Sequence, residues 1–545
     1  MTSIKLLYTH RFSAVLLRQV FVALYVTFGI SSLLASHRAN AGMVAAASPK
    51  VDPPPSSIAW HGCPDAPAKD LQCAEVQVPL DWNRPAGSRI SLSVARHLAS
   101  KPNQRIGSLF VNFGGPGVPG VPAIKEAGEG LDQLGEGRFD VVGWDPRGTG
   151  GSTHVVCFQN DRKMEQFWGA DWTLPTTPLD IWLYVTKTFE YAQRCTAMSG
   201  SLLAHISTED TVRDLDYLRQ LVGDPQLNYR GLSYGTFLGQ TYINMFPQRV
   251  RAVILNANID PVPFTASVEA SVSSTGSDTD LVFEKFLSLC QQAGPFNCKL
   301  SANGDVAARV QKLLARLRQG PIPAPSAPAP HELRYGDALI DIWVSLGMPA
   351  KWPQLAEDLN QAAEGDGSNL AITFTEVVRP SILKSLISAA ALQCADKPLL
   401  PLGSVLTWPQ VMQHLTATNF LGIVEGWWLW APCASWVVPS AERYTGPWNA
   451  KTENTILVIG NRYDPRTRYA NSVLASQRLG NAALLTLNGY GHTSDADPSD
   501  CIDKAVASYL ITTITPPTGT VCQPDHAPFD PDFDKPLFKS QSPFE

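Results

Sequence analysis

The sequence of 545 residues predicts an α/β protein with a mostly parallel sheet and helices on both faces of that sheet. Short apolar runs alternate with helical segments in residues 108–259, which is typical of parallel strands that are buried on both sides. This alternation stops at residue 261 and resumes at residue 455, after a mainly helical block. Residues 228–246 contain a glycine-flanked turn between a strand and a helix, which indicates a catalytic site at one edge of the sheet.

Local sequence signals give the elements before the helical block. An alternating pattern around the turn at Asn83–Gly87 predicts an antiparallel hairpin. Short apolar runs that end in glycine- or proline-containing turns predict buried strands. An apolar stripe that follows Thr208, which we assign as the N-cap, predicts a helix. The expected elements are strands 74–82, 90–97, 108–113, 139–144, 226–230 and 252–259 and helices 208–221 and 234–245.

The helical block and the elements after it complete the predicted fold. The block contains expected helices at 280–292, 306–318 and 352–364, and it is followed by strands 455–460 and 483–487 and a helix at 499–512. A helical block between the sixth and seventh strands is how a lid sits on an α/β-hydrolase. We therefore expect an α/β-hydrolase fold, with a core formed by residues 59–260 and 433–522 and a helical lid at 261–432.

The N-terminal region has the features of an export signal. A basic start that ends at Arg18 precedes an apolar run from Val20 to Ala35, and Ala39–Ala41 matches a small-residue cleavage site. Because this run comes close to the length that spans a bilayer, an uncleaved anchor helix is the alternative. We expect a signal peptide at 1–41, a flexible lead-in at 42–58 and an extended tail at 523–545. The mature protein would be secreted or periplasmic, with no stable membrane association.

Charge and motif content exclude several classes of partner. The net charge is −6, and residues 1–41 contain basic but no acidic residues, so the mature chain is more acidic still. An acidic chain argues against nucleic acid or an anionic membrane as partner. No cluster of His, Cys and carboxylate residues has the spacing of metal ligands, and no dinucleotide fingerprint occurs. We expect neither a metal nor a cofactor.

Ten cysteines in an exported chain predict disulfides. They fall into five couples that are adjacent in sequence, and each couple encloses a short or moderate loop. Free buried thiols are the alternative. The expected pairs are Cys63–Cys73, Cys157–Cys195, Cys290–Cys298, Cys394–Cys433 and Cys501–Cys522.

The glycine-flanked turn matches the nucleophile elbow, G-x-S-x-G. It reads Gly231-Leu232-Ser233-Tyr234-Gly235 between an expected strand and an expected helix. In such an elbow the serine occupies a sharp, strained turn that exposes its hydroxyl, and the glycines are needed because a Cβ would collide with the neighbouring elements. The alternative is a structural role, in which the serine caps a helix after a turn. The flanking elements favour Ser233 as a nucleophile.

A base and an orienting carboxylate are expected on loops after late strands, in the order Ser, Asp, His. Asp464 follows the expected strand 455–460, and His492 follows the expected strand 483–487. An aspartate before a proline is often only a turn residue, and a single histidine is often a surface or core residue. Because both stand in the right order after the right strands, we predict a Ser233–His492–Asp464 triad.

An oxyanion hole requires two main-chain N–H groups that point at the developing charge. We predict that Tyr234, which follows the nucleophile, supplies one of them. Gly115, in the glycine-rich turn after the third strand, is the best second candidate because the next residue, Pro116, has no N–H. A plain tight turn is the alternative reading of Gly114–Gly117.

Several linked motifs resemble the secreted tripeptidyl aminopeptidases, a family of α/β-hydrolase serine exopeptidases related to prolyl aminopeptidases. The resemblance covers nearly the whole mature chain and includes the C-terminal domain with Cys501 and Cys522. It rests on Gly114-Gly115-Pro116-Gly117, Gly143–Gly148, Arg213-Asp214-Leu215-Asp216, Gly231–Thr236, Ala391–Asp396, Pro432-Cys433, Asp464-Pro465 and Gly491-His492. Asn256, Ala257 and Arg468 depart from the residues usual in this family.

The resemblance implies release of short peptides from substrates with a free N-terminus, whose ammonium group is bound by acids of the lid. A buried cation needs a paired charge, and Asp396 is the candidate, with a structural or loop-solvating role as the alternative. A carboxylesterase or lipase on the same fold is a further alternative, because a triad hydrolyses esters equally well. A catalytically silent binding protein is a minor one, since Ser, Asp and His are all present.

Overall fold

The structure is a computed structural model that describes residues 57–533, apart from residues 67, 170–171, 276–277, 401–403 and 417–419. The expected signal peptide lies outside the described residues. So do almost all of the expected lead-in and residues 534–545 of the expected tail.

A ten-stranded sheet forms the core, and its spatial order is β1-β2-β3-β5-β4-β6-β7-β10-β11-β12. The strands from β5 to β12 in this order pair in parallel, whereas β1, β2 and β3 are antiparallel to their neighbours. A separate two-stranded pair, β8 and β9, lies outside this sheet. The strands are β1 His61–Gly62, β2 Leu71–Pro79, β3 Arg89–His97, β4 Gly107–Asn112, β5 Phe139–Trp144, β6 Leu227–Leu232, β7 Val250–Asn256, β8 Ile322–Pro323, β9 Glu332–Leu333, β10 Ile456–Tyr463, β11 Ala482–Tyr490 and β12 Val521–Cys522.

Helices cover both faces of this sheet, so the central strands are buried along their whole length. Every residue of β4, β5 and β6 is buried, which explains why these segments are apolar runs instead of alternating patterns. The α-helices are α1 Gly120–Gln133, α2 Asp161–Trp168, α3 Pro178–Ser199, α4 Thr208–Leu221, α5 Tyr234–Met245, α6 Pro261–Ala266, α7 Val268–Thr275, α8 Thr279–Asn297, α9 Val306–Gln319, α10 Tyr335–Leu346, α11 Trp352–Glu364, α12 Ser368–Ile372, α13 Arg379–Ala395, α14 Ser404–Thr416, α15 Gly422–Glu425, α16 Ala431–Ala434, α17 Tyr469–Arg478 and α18 Asp500–Thr512.

The predicted α/β-hydrolase architecture with an inserted lid is confirmed. Counted from β2, strand β7 is the sixth and β10 the seventh of the main sheet, and helices α6 to α16 lie between them in the chain. We call residues 261–434 the lid. Its last helix runs two residues beyond the expected boundary at residue 432. The lid also contains the β8–β9 pair, which the sequence did not predict because each strand has only two residues.

The N-cap of α4 differs from the prediction. Ser207, not Thr208, caps the helix, and its hydroxyl accepts a hydrogen bond from the Asp210 N–H at 3.2 Å. Thr208 is the first helical residue, and its N–H and hydroxyl both donate to Asp396 of the lid. The prediction failed because two adjacent residues were competent caps, and a contact distant in sequence decided between them.

A buried ion pair holds α4 against the sheet. Arg147, in the turn after β5, makes two hydrogen bonds of 2.7 Å to the two carboxylate oxygens of Asp214 in α4. Its remaining N–H groups reach main-chain oxygens of Pro79, Leu80 and His205 at 2.8–3.0 Å. A two-point contact between guanidinium and carboxylate fixes orientation as well as distance. Helix α4 is therefore held in place from the sheet side.

Five disulfides join the cysteines, and each joins neighbours in the sequence as expected. In the lid, Cys394 at the end of α13 is bonded to Cys433 in α16. The pairs are Cys63–Cys73, Cys157–Cys195, Cys290–Cys298, Cys394–Cys433 and Cys501–Cys522. Such a density of disulfides is typical of proteins in an oxidising compartment.

The described residues after β12, 523–533, have no regular structure, yet they are anchored to the lid. Phe529 and Phe533 are buried, at 3% and 6% exposure. The ring of Phe529 lies 5.9 Å from that of Phe286 in α8 and 6.3 Å from that of Trp352 in α11. In the part of the chain that the structure describes, no helix is long and apolar enough to cross a membrane.

Candidate active site

The elbow has the geometry that its sequence predicts. Strand β6 ends at Leu232, helix α5 begins at Tyr234, and Ser233 between them has φ 54° and ψ −121°. A positive φ is strained for a residue with a Cβ, and the surrounding structure has to hold it. The Ser233 N–H donates to the main-chain oxygen of Asn256 at 3.0 Å, and the serine is only partly buried.

Both glycines of the elbow are required by close backbone approaches. A Cβ at Gly231 would lie 2.3 Å from the main-chain oxygen of Gly235. A Cβ at Gly235 would lie 2.7 Å from the main-chain oxygen of Asn112 at the end of β4. Neither neighbour is the end of a flexible side chain, so larger residues at these positions would open the turn between β6 and α5.

Asp464 and His492 are brought together at the carboxyl ends of β10 and β11. The Nδ1 atom of His492 lies 3.0 and 3.1 Å from the two carboxylate oxygens of Asp464. The main chain of His492 is also fixed, because its N–H donates to the Gly347 oxygen in the lid at 2.8 Å. The imidazole therefore has one nitrogen on the carboxylate and the other free to face a different group.

The surroundings of Asp464 favour its ionised form, although its side chain is fully buried. Its carboxylate accepts hydrogen bonds from the Arg466 N–H, the Thr467 N–H and the Thr467 hydroxyl at 2.8–2.9 Å. Burial alone would raise the pKa, but the charge and ring N–H of His492 and these amides outweigh it and hold the pKa of Asp464 below its ordinary value.

Two asparagines tie the histidine loop to the rest of the site, and the sequence did not reveal either role. The side chain of Asn256 donates to the Ser494 hydroxyl at 2.8 Å and accepts from the Ser494 N–H at 3.1 Å, while its main-chain oxygen holds Ser233. Asn461 donates from one amide nitrogen to the main-chain oxygens of Tyr490, Gly491 and Thr493 at 2.7–3.2 Å. The only signal was the departure of Asn256 from the family pattern.

The glycine-rich turn after β4 lies directly against the elbow. A Cβ on Gly114 would come within 2.6 Å of the Leu232 oxygen and 2.9 Å of the Ser233 Cβ. The Gly114 N–H is already bonded to the Asn112 side chain at 3.1 Å, whereas within the described chain that of Gly115 has no acceptor. Tyr234 is the first residue of α5, so its N–H has no acceptor within the helix.

The lid touches the glycine turn as well as the histidine loop. A Cβ on Gly117 would lie 2.9 Å from the Cβ of Ser388 in α13, so this helix packs directly on the turn. Gly347, just after α10, accepts the His492 N–H. Movements of the lid therefore reach both loops.

The structure places Asp396 in the lid, directly after α13, with 1% exposure. Its carboxylate accepts the Thr208 N–H at 2.9 Å and the Thr208 hydroxyl at 2.6 Å. Burial raises its pKa to about 6, and the hydrogen bonds from Thr208 oppose that rise. These partners are groups of the protein itself, which corresponds to the structural alternative for this residue.

Comparisons with known proteins agree with this geometry. A family model described as alpha/beta hydrolase fold matches residues 109–274, and one described as TAP-like protein matches residues 423–522. The serine protease Hip1 of Mycobacterium tuberculosis (strain ATCC 25618 / H37Rv) is 30% identical over 507 residues, which covers 89% of this chain and 94% of that protein.

Two further relatives carry different names. Tripeptidyl aminopeptidase of Streptomyces coelicolor is 29% identical over 496 residues, with 87% of each chain covered. Carboxylesterase B of Mycobacterium tuberculosis (strain ATCC 25618 / H37Rv) is 30% identical over 490 residues, with 85% of this chain and 90% of that protein covered. The chain therefore belongs to the tripeptidyl aminopeptidase family of α/β-hydrolases, and it is a serine hydrolase of the peptidase type.

Proposed function

We propose that the protein is an exported aminopeptidase that releases tripeptides from free N-termini through a Ser233–His492–Asp464 triad. One observation carries the proposal. His492, hydrogen-bonded to ionised Asp464, lies on a loop that Asn256 ties to the strained, partly exposed Ser233.

In the proposed acylation step, the Ser233 hydroxyl attacks the carbonyl carbon of the scissile bond. His492 takes the hydroxyl proton on Nε2, because its Nδ1 faces Asp464. Asp464 keeps the imidazole in this tautomer and stabilises the imidazolium that forms. The low pKa of Asp464 supports this role, because the carboxylate stays ionised while the proton resides on His492.

The carbonyl oxygen becomes negatively charged in the tetrahedral intermediate. The N–H groups of Tyr234 and Gly115 are the proposed donors to this oxygen. His492 then passes its proton to the departing amine, the C–N bond breaks, and an acyl-enzyme remains on Ser233. Water, deprotonated by His492, hydrolyses this ester and restores the free serine.

The substrate class rests on relatives and on the lid. Two relatives that span most of this chain are named as a serine protease and a tripeptidyl aminopeptidase. The lid, which packs on the glycine turn and on the histidine loop, would enclose the short N-terminal portion of a peptide. Since Asp396 is engaged by Thr208, its proposed contact with the substrate ammonium would require this pair to open.

Export and domain layout belong to the same proposal. Five disulfides suit an oxidising compartment, and the N-terminal sequence has the features of a cleaved signal. The proposed layout is a signal peptide at 1–41, a lead-in at 42–58, a core at 59–260 and 433–522, a lid at 261–432 and a tail at 523–545.

Ester hydrolysis is a second candidate, because a relative that is also 30% identical to this chain is named carboxylesterase B. The triad and oxyanion hole act on esters as well as amides, and an ester has the better leaving group. The two candidates differ in whether a free substrate ammonium is needed.

A matched fluorogenic panel distinguishes them. Purified protein without residues 1–41 is assayed on free and N-acetylated tripeptide amides, on single amino-acid amides including proline, and on short and long acyl esters. Ser233→Ala is the control. We expect turnover of free but not acetylated tripeptides, and a loss of roughly 10⁶-fold in kcat in the variant.

The outcomes separate the hypotheses. Turnover of esters without turnover of any peptide would support the triad and exclude the aminopeptidase. Equal turnover of free and acetylated tripeptides would exclude recognition of the ammonium group. Activity retained in Ser233→Ala would contradict the nucleophile itself.

A further inference from the structure

We propose that Asp396 of the lid is a positioning residue for the oxyanion hole, which acts through Thr208 on Tyr234. The inference rests on the proposed function, because it takes the Tyr234 N–H as an oxyanion donor. It assigns a task to a carboxylate that neither supplies nor accepts the catalytic proton.

Tyr234 has two ends with different surroundings. Its N–H lies at the strained turn next to Ser233, while its side chain is buried, with 3% exposure. Its ring packs against Phe237 at 6.1 Å and Phe264 at 6.4 Å between ring centroids. Its hydroxyl is hydrogen-bonded to the Thr208 hydroxyl. The hydroxyl thus fixes the position of the Tyr234 side chain. Because the side chain and the N–H belong to the same residue, this also restrains the position of the N–H.

The hydrogen bonds that join Tyr234, Thr208 and Asp396 all run in one direction, and we call them the hydrogen-bond chain. An ionised carboxylate only accepts, so both Thr208 donors, the N–H and the hydroxyl, are committed to Asp396. The Thr208 hydroxyl therefore donates its only hydrogen to Asp396, and it must accept a hydrogen bond from the Tyr234 hydroxyl. Every member of the chain is satisfied in this arrangement, which is the condition for a rigid buried polar network.

The cationic groups near Asp396 do not replace this arrangement. The Lys397 ammonium donates to the main-chain oxygen of Phe264 and lies 3.2 Å from the centroid of its ring. Arg443 donates to the main-chain oxygens of Thr265 and Asp396, each at 3.2 Å. These two cations and the Tyr234 hydroxyl are the titratable neighbours, while the carboxylate oxygens themselves bond to Thr208.

The chain depends on the ionised form of Asp396. If the carboxyl carries a proton and donates it to the Thr208 hydroxyl, that hydroxyl donates to Tyr234, whose own proton then loses its acceptor. Burial raises the pKa of Asp396 to about 6, so the chain is complete at neutral pH and reverses in mild acid. Kinetics at a constant neutral pH therefore compare each variant with a wild type in which this hydrogen-bond chain is complete.

The location of the chain distinguishes positioning from simple stabilisation. Arg147 already fixes α4 from the sheet side through Asp214. Asp396 adds a contact from the lid to the first residue of the same helix. Loss of a purely structural contact would lower stability or substrate affinity, whereas loss of a positioning contact lowers the rate of the bond-making step.

The key variant is Tyr234→Phe, which removes one oxygen atom and keeps the ring. Its partners in the test are Asp396→Asn, the double variant, Thr208→Val and Thr208→Ser. Asp358→Asn is the matched control, because Asp358 is another buried lid carboxylate that accepts side-chain amide hydrogen bonds, from Gln354 and Asn369. Two readouts are measured at pH 7.5, namely kcat and KM on the best substrate of the panel, and the rate of Ser233 labelling by a fluorophosphonate.

Labelling keeps the test independent of substrate identity, because the phosphonyl oxygen occupies the oxyanion hole when serine attacks. Complete loss of a donor costs roughly 10²–10³-fold. For a donor that is displaced but present we expect roughly a 10- to 100-fold loss of kcat and labelling rate, with KM within about 2-fold of wild type. Thr208→Ser should restore most of what Thr208→Val loses.

Non-additivity is the sharpest expected result. If Tyr234→Phe and Asp396→Asn break one chain, the double variant is no slower than the slower single variant. Additive losses would overturn the proposal, as would wild-type kcat and labelling rate in Tyr234→Phe. A drop in melting temperature without a drop in labelling rate would assign the chain to stability alone.

Failure of the proposed function has a different signature. If wild-type protein does not label at Ser233, the nucleophile assignment and the positioning role both fall. If the wild type labels and Ser233→Ala does not, while the Tyr234 and Asp396 variants label at the wild-type rate, only the positioning role falls.

Discussion

Two aspartates with almost no exposure differ in their hydrogen-bond partners, one at the sheet edge and one in the lid. Asp464, at the end of β10, is 1% exposed and receives hydrogen bonds from His492, Arg466 and Thr467. Asp341, in lid helix α10, is 2% exposed, and among the described residues neither of its carboxylate oxygens has a hydrogen-bond partner.

The pKa values move in opposite directions. For Asp464 the cost of burial is outweighed by His492 and the surrounding donors, so the pKa lies below its ordinary value. For Asp341 burial is reinforced by the nearby carboxyls of Asp337 and Asp358, and the pKa lies well above its ordinary value. Equal burial is therefore accompanied by a lowered pKa at the sheet edge and a raised pKa in the lid, and the supply of donors makes the difference.

The largest effect is expected at the sheet edge. Asp464→Asn should lower kcat by roughly 10⁴-fold with little change in KM, because an amide no longer selects the imidazole tautomer that accepts the serine proton. Steady-state kinetics on the best substrate measure the effect. The matched lid substitution, Asp341→Asn, should leave kcat unchanged, and an equal loss in both variants would remove the contrast between the two regions.

An intermediate effect is expected from the support of the histidine loop. Asn461→Ala leaves the oxygens of Tyr490, Gly491 and Thr493 without this donor, so the free energy of unfolding should fall by about 2–3 kcal/mol and kcat by roughly 10-fold. Urea denaturation and kinetics measure both.

Asn481→Ala is the control for that variant. Asn481 also donates to two main-chain oxygens, those of Thr452 and Glu453, but it precedes β11 and so lies at the opposite end of that strand from His492. It should lose stability without losing kcat. If the two variants lose kcat equally, Asn461 has no specific link to the histidine loop.

The smallest effect concerns the lid and depends on pH. A folded-state pKa above the unfolded value gives stability that is complete below the unfolded pKa, about 4, and that is lost as pH rises toward the folded pKa. Asp341→Asn removes this proton, so its free energy of unfolding should decline less between pH 5 and pH 8 than that of the wild type.

Urea denaturation at the two pH values measures this slope. Glu126→Gln, an exposed carboxylate in α1, serves as control and should leave the slope unchanged. Parallel slopes for wild type and Asp341→Asn would show that the Asp341 carboxyl finds a partner in solution.

The sequence predicted the parts of the site that short local patterns encode. The elbow is a five-residue motif, and Asp464 and His492 stand directly after strands that β-periodicity reveals. The neighbouring pairing of the cysteines also followed from their order. The fold class was predictable because parallel strands that are buried on both faces have a distinctive apolar pattern.

The supports of the site were not predictable, because they join residues that are far apart in the chain. Asn256 bonds to Ser494, and Thr208 bonds to Asp396, across 238 and 188 positions. Nothing local to Thr208 showed that its hydroxyl would be used by the lid and leave the cap to Ser207. The missing partners of Asp341 are likewise a property of packing, which periodicity does not describe.

The contact of Phe529 with Phe286 and Trp352 has a consequence for the order in which the chain matures. These rings bring together lid helices from the middle of the sequence and a residue close to its end. A ribosome makes the chain from its N-terminus, so the aromatic cluster is incomplete until codon 529 has been read. A message truncated shortly before codon 529 would therefore encode every proposed catalytic group but would leave the lid without this aromatic contact.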